Sequence, residues 1–327
     1  MVLTDGSFRE STHRVPFGLM ASWDHRRMSP LSPASMHRAT PPAPPVALTA
    51  HPSIDALARS ARRADTVTPS GRMCWRCFGD AGRSASRPPV ALLHGGHGCW
   101  LHWVRNIAAL AEGGEVWVAD MPGYGESDAP SGPGMADLVA MCAASLRCML
   151  APGQPLDLIG FSFGGLAAAH LAADHLPVRR LALLGPAGHA GPRRPRGELL
   201  AWRRLVDDPA ALAEAMRHNL AMQMLHEPAA IDALAVAVHT RACMGTRFRS
   251  REISRAGGLP ELLARCPSRL LLAWGEHDIT ADPARLAATL GLAAPERVAH
   301  VLPGVGHWIQ YEAADAVNRL LADFLND

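Results

Sequence analysis

The stretch LDLIGFSFGGLAAAHLAADH, residues 156–175, runs from an apolar segment through a glycine-bracketed serine into an alanine-rich helical pattern. Where a strand turns sharply into a helix, the residue at the junction is thrust up from the sheet edge. It is held there in a strained backbone conformation, and its neighbours two before and two after must be small because the arms of the turn nearly touch. Gly160 and Gly164 occupy those two places around Ser162, and Gly165 lets the helix lie close to the strand. The pattern is G-x-S-x-G, a nucleophile elbow. At the start of a helix, the N–H of Phe163 would face an oxyanion formed on Ser162. The competing reading is a glycine-rich turn that carries an incidental serine, and the rest of the chain decides between them.

A serine hydroxyl is a poor nucleophile near neutral pH unless a base takes its proton. His307, in LPGVGHWIQYE, follows the last expected strand and a glycine-bearing turn. A carboxylate must orient the imidazole. Asp278, in LLAWGEHDIT, ends the preceding strand, with Glu276 close by as a substitute. Ser162, Asp278 and His307 follow one another in the order expected of this arrangement. A second oxyanion donor is expected from an early loop. The HGG turn of LLHGGHGCW offers the N–H of Gly96, or of His97 if the register slips.

The strands expected at 89–96, 115–123, 156–162, 180–188, 269–278 and 297–307 alternate with helical patterns at about 102–112, 135–150, 163–175, 282–290 and 311–325. Near-continuous apolar strands separated by helices predict an α/β fold with a mostly parallel central sheet, covered on both faces. In such a sheet the ligand site lies beyond the carboxyl ends of the strands. From about 187 to 262 no strand is evident, and GELLAWRRLVDD, AALAEAMRHNLAMQMLH and PAAIDALAVAVHTRACM read as amphipathic helices of a cap. Residues 1–65, rich in proline, serine and alanine around SPLSPASMHRATPPAPPVAL, are expected to be a disordered tail before a domain over 66–327.

The formal net charge is +2 over 327 residues, which makes no case for nucleic acid or an anionic membrane. All 32 basic residues are arginine, so lysine Schiff-base and phosphate-loop lysine chemistry is excluded. Seven cysteines, an odd number, argue against a disulfide framework and suit a reducing, cytoplasmic compartment. Cys74 and Cys77 form a lone CxxC, but it lies in an expected strand, where positions i and i+3 face opposite ways. No apolar run reaches the roughly 18–20 residues of a membrane span, and no secretory leader is expected.

VALLHGGHGCWLHW, VADMPGYGESDAP, LIGFSFGGLAAAHLA, LLAWGEHD and PGVGHWIQYE together resemble the α/β-hydrolase family over about residues 66–327. The resemblance implies a triad of Ser162, Asp278 and His307, an oxyanion hole built from the N–H groups of Gly96 and Phe163, and no metal or organic cofactor. Epoxide hydrolases and haloalkane dehalogenases of the family carry aspartate at the elbow, so Ser162 disfavours those reactions. HWIQYEAADAVNRLLADFL and HWVRNIAAL are similar to segments of the meta-cleavage-product carbon–carbon hydrolases.

Other polar residues have plainer readings. Asp120 is expected to brace its loop rather than to act as an acid. His94, His97 and His102 lack the i, i+4 spacing that favours a metal. Arg105 and Asn106 read as a solvated or capping pair, with contact to an acidic substrate as the alternative; Arg193, Arg194, Arg196, Arg203 and Arg204 read as a solvated cap face, with a carboxylate-binding entrance as the alternative. Met216, Met222 and Met224 are expected to pack the cap. The function expected is a serine hydrolase acting on a small-molecule carboxylic ester or related acyl bond. The alternatives are a carbon–carbon bond hydrolase and a non-catalytic ligand-binding protein on the same fold. Oligomeric state, a homo-oligomer included, is not legible.

Overall fold

The computed structural model describes residues 46–79, 87–291, 293–294 and 296–327. Eight strands form one sheet: β1 (Arg62–Thr68), β2 (Gly71–Phe78), β3 (Val90–Leu93), β4 (Val116–Asp120), β5 (Leu156–Phe161), β6 (Val178–Leu184), β7 (Arg269–Gly275) and β8 (Arg297–Leu302). Their spatial order is β1-β2-β4-β3-β5-β6-β7-β8. β2 is antiparallel to both β1 and β4, and every other pairing is parallel. This is the mostly parallel sheet that the alternating pattern predicts.

The period of two along each strand builds two cores. Val90, Leu92, Ile159, Phe161, Leu271 and Ala273 face one side, while Ala91, Leu93, Leu158, Leu270 and Leu272 face the other. Burial on both faces explains why β3 to β7 read as continuous apolar runs. The edge strands differ: β8 and β1 each leave residues exposed.

The expected boundary at residue 65 needs correction. Helix Pro52–Ser60 buries Ile54, and β1 pairs along its whole length with β2. β1 (RRADTVT) escaped detection because an edge strand with one solvated face carries charges where a central strand carries apolar side chains. Residues 1–45 of the expected tail lie outside the described residues.

Between β6 and β7 the chain forms helices Pro209–Gln223, Ala233–Met244, Arg251–Arg255 and Leu259–Arg265. Leu212, Met216 and Met224 pack into the same apolar cluster as Trp100, Trp103 and Trp308. The helix expected over GELLAWRRLVDD is absent except for a 3-10 turn at Trp202–Arg204. There the Leu200 backbone bonds Asn219 twice, its N–H to Oδ1 at 2.8 Å and its C=O to Nδ2 at 3.1 Å, a tertiary partner in place of a helical one. Among the described residues no helix is long and apolar enough to cross a membrane.

Candidate active site

The chain leaves β3 in one direction to β4 and returns through β5 to β6, β7 and β8 on the other side, so the sheet reverses its winding between β3 and β5. The loops after β3, β5, β7 and β8 meet beyond the carboxyl ends, where a doubly wound sheet opens its crevice.

Ser162 follows β5 with φ 52° and ψ −115°, a conformation that side chains with a Cβ resist. The turn is held by its backbone: Ser162 N–H donates to Leu184 O at 2.9 Å, and Ser162 O accepts from Gly165 at 3.0 Å and Ala187 at 3.0 Å. A Cβ on Gly160 would lie 2.4 Å from Gly164 O, and one on Gly164 would lie 2.3 Å from His94 O. Backbone oxygens cannot step aside as a side chain can. Gly164→Ala is therefore expected to destabilise the protein by about 3 kcal/mol or more, read from urea denaturation midpoints.

The Ser162 hydroxyl lies 3.0 Å from His307 Nε2, and His307 Nδ1 lies 2.7 Å from Asp278 Oδ2. A carboxylate only accepts, so Nδ1 carries the proton and Nε2 is left to accept from the serine. His307 and Asp278 are buried, 4% and 1% exposed, which shields the pair from competing water. Thr280 completes the surroundings of the carboxylate: its N–H and its hydroxyl each donate to Asp278 Oδ1 at 2.7 Å. Burial works to raise the Asp278 pKa, but the imidazole of His307 and the Thr280 donors outweigh it and hold the carboxyl below its ordinary value. Glu276 faces elsewhere, accepting from Gly304 N–H at 2.9 Å.

The turn after β3 lies against the elbow. A Cβ on Gly95 would sit 3.2 Å from Ser162 Cβ, and one on Gly96 would sit 3.8 Å from Phe163 Cβ. Among the described residues nothing accepts a hydrogen bond from the N–H of Gly96 or of Phe163. Both donors are thus unengaged beside the serine. His97, the alternative donor, is left-handed at φ 54°.

The neighbouring polar residues brace this arrangement. Asp120 takes up Trp100 N–H at 2.9 Å, Glu126 N–H at 3.1 Å and Arg76 at 3.1 Å, so its carboxylate is committed to the loop after β4. His94 donates from Nδ1 to Gly95 O at 2.8 Å and accepts at Nε2 from Met121 N–H at 3.0 Å. His102 accepts at Nδ1 from Gly95 N–H at 3.3 Å. His94 and His102 thus grip the glycine turn. Among the described residues the one acidic and thiol group close enough to suggest a metal is Cys74, Asp120 and Glu126, and the Arg76 guanidinium pairs with both carboxylates.

The solvated reading fails for Asn106, while the Arg105 side chain stays 33% exposed. Asn106 is fully buried and donates to Gln310 O at 2.9 Å, while Arg105 donates to Tyr311 O at 3.1 Å. Both tie the segment just after His307 to the helix Ile107–Ala111 that they precede. Within the cap, Arg194 donates to Ala281 O at 3.0 Å and Arg196 to Leu225 O at 3.2 Å, so these two staple loops rather than face solvent alone. Cys74 and Cys77 are free, buried thiols, and burial raises their pKa to about 12 and about 11.

Residues 88–314 match a sequence model of the alpha/beta hydrolase fold. The chain belongs to the alpha/beta-hydrolase family. This hydrolase is 29% identical over 263 residues to the 2-hydroxy-6-oxo-6-phenylhexa-2,4-dienoate hydrolase of Burkholderia cepacia, covering 75% of this chain and 89% of that one. It is likewise 29% identical over 252 residues to the 2-hydroxymuconate semialdehyde hydrolase of Pseudomonas sp. strain CF600, covering 72% and 86%. Among solved structures, naproxen esterase (carboxylesterase NP) of Bacillus subtilis superposes with a TM-score of 0.67 at 20% identity, over 84% of this chain and 96% of that one.

The hydrolase keeps several imidazoles neutral. Burial lowers His94 and His239 to about 4 and His102 well below its ordinary value. The unfolded chain protonates these rings near pH 6.5, while the folded chain keeps His94 and His239 neutral until about pH 4 and keeps His102 neutral across the same window. Stability therefore falls as pH drops through that window and levels off below it. With three such rings the expected slope is of order a few kcal/mol per pH unit, checked by urea melts at pH 7.0, 6.0 and 5.0.

Proposed function

We propose that this hydrolase cleaves a carboxylic ester, or a related acyl bond, of a small molecule through Ser162. The observation that carries the reading is the continuous hydrogen-bonded line from Ser162 Oγ through His307 to Asp278, at 3.0 and 2.7 Å, beginning on a strained elbow. His307 Nε2 takes the serine proton as Oγ attacks the carbonyl carbon, and Asp278 stabilises the imidazolium that forms. The developing oxyanion is received by the N–H groups of Gly96 and Phe163. His307 then returns the proton to the leaving alkoxide, and water, activated by the same imidazole, releases the acid from Ser162.

A second reading, carbon–carbon bond hydrolysis, is favoured by a different observation. The two curated relatives act on 2-hydroxy-6-oxo-dienoate and semialdehyde substrates, judging by their names. Both readings use the same three side chains and differ in the pocket.

The test is intact-mass labelling with a fluorophosphonate, with Ser162→Ala as control. One adduct on wild type, absent from the variant, supports an activated Ser162. No adduct on folded wild type sinks the hydrolase reading and favours a binding protein. Turnover of p-nitrophenyl esters against 2-hydroxy-6-oxo-6-phenylhexa-2,4-dienoate, compared as kcat/KM, then separates the ester from the carbon–carbon reading.

A further inference from the structure

Five residues past His307, the carboxylate of Glu312 turns back toward the site. Its Oε2 accepts from the N–H of Gly306, the residue immediately before His307, at 2.7 Å. Its Oε1 accepts from His226 N–H at 2.8 Å and Glu227 N–H at 2.5 Å, both in the turn that follows cap helix Pro209–Gln223. On the other side of His307, Trp308 N–H donates to Met224 O at 2.8 Å. The base is thus flanked by two ties to one cap turn. The approach is close: a Cβ on Gly306 would lie 2.7 Å from His226 N and 3.0 Å from Glu312 Oε2. The same turn reaches the acid's loop as well, because the His226 ring stacks on that of His277 at 3.7 Å, and His277 directly precedes Asp278.

A carboxylate only accepts, and bonds from N–H groups to an ionised acceptor are among the stronger hydrogen bonds. Glu312 therefore matches its three donors, yet among the described residues it bonds none of the Ser162, Asp278 or His307 side chains. It acts on their position alone.

We propose that Glu312 is a positioning residue that locks the cap turn at 224–227 to the His307 loop, so that His307 stands over Ser162 only while the cap is seated. The inference rests on Ser162, His307 and Asp278 being the reacting set. A cap that lifts takes two of the three donors with it and loosens Gly306, and a cap that closes over substrate restores the base. Placement of the base and closure of the cap become one event.

Two variants test this from opposite sides. Glu312→Gln replaces one acceptor oxygen by an amide that opposes an N–H. Glu227→Pro removes a donor from the cap side, at a φ of −79° within proline's range, and puts a ring carbon where that N–H met Glu312. For each, the rate of fluorophosphonate labelling, the melting temperature and the far-downfield proton resonance of His307 Nδ1–H are measured. Labelling is expected to slow by about 10²-fold in Glu312→Gln and about tenfold in Glu227→Pro, with that resonance broadened in folded protein. A folded variant that labels at the wild-type rate with the resonance unchanged overturns the proposal. If wild type shows the resonance but takes no label, the hydrolase reading falls separately. The resonance then decides the tie by itself, broadening in the variants supporting it and an unchanged line overturning it.

Discussion

Ser162→Ala is expected to lower kcat by about 10⁴–10⁶-fold on whichever substrate the protein turns over best. The hydroxyl is the single atom removed, and its hydrogen bond within the described residues is to His307 Nε2. Everything that shapes the elbow is backbone: the bond to Leu184 O and those accepted by Ser162 O. The variant should therefore fold as wild type does, and the loss will appear in the chemical step, with KM little changed. Ser162→Gly sharpens the result. At φ 52° an alanine keeps the strain that its Cβ creates, whereas glycine is at ease there. Ser162→Gly should be equally inactive but about 1 kcal/mol more stable than Ser162→Ala in parallel urea melts. Retention of turnover in both variants would remove Ser162 from the reaction.

Asp278→Asn should cost about 10⁴-fold in kcat, for a reason that Thr280 supplies. The two Thr280 donors converge on Oδ1, so in the variant the amide oxygen must occupy that place. The amide NH₂ is then forced to the Oδ2 position, 2.7 Å from His307 Nδ1. An NH₂ there can only donate, so Nδ1 must give up its proton and Nε2 must carry it. A protonated Nε2 cannot accept from the serine hydroxyl. Steady-state kinetics check the size of the loss, and a crystal structure of the variant should show the imidazole unmoved. By contrast Glu276→Gln, which alters the contacts with Gly304 N–H and His277 and none with His307, should stay within a few-fold of wild type. A comparable loss in Glu276→Gln would reassign the acid.

The elbow was legible because it depends on local chemistry, while Asp278 and His307 were expected as acid and base from their order and the family resemblance, and the fold brings both side chains into line with Ser162. Gly160 and Gly164 are required where backbones come within van der Waals distance, and that requirement is written in the residues themselves. The strands β3 to β7 announced themselves because both of their faces are buried. β1 did not, since its partners are Arg62–Glu115 and Thr66–Ser145 contacts that look like surface in sequence. The 197–208 segment has the residues of a helix, and loses the helix to one buried asparagine from the next element. Asn106 read as a cap and proved to be a buried tie to the loop after His307. The deciding partner lies in the next element in the first case and 204 residues along the chain in the second.

From sequence alone came the elbow at Ser162, the order of Ser162, Asp278 and His307, the parallel sheet and the family to which they point. The sheet follows from periodicity and the elbow from steric demands that act within a few residues, whereas the order of the three and the family rest on a resemblance carried by motifs spread along the chain. Tertiary structure alone decided that Thr280 donates to Asp278, that His94 and His102 grip the Gly95 turn, and that Glu312 ties the backbone beside His307 to the cap. The reason is physical. A hydrogen-bond acceptor shows its type in the sequence, but its donors are chosen by where the folded backbone brings N–H groups, and two of the three on Glu312 come from more than eighty residues away.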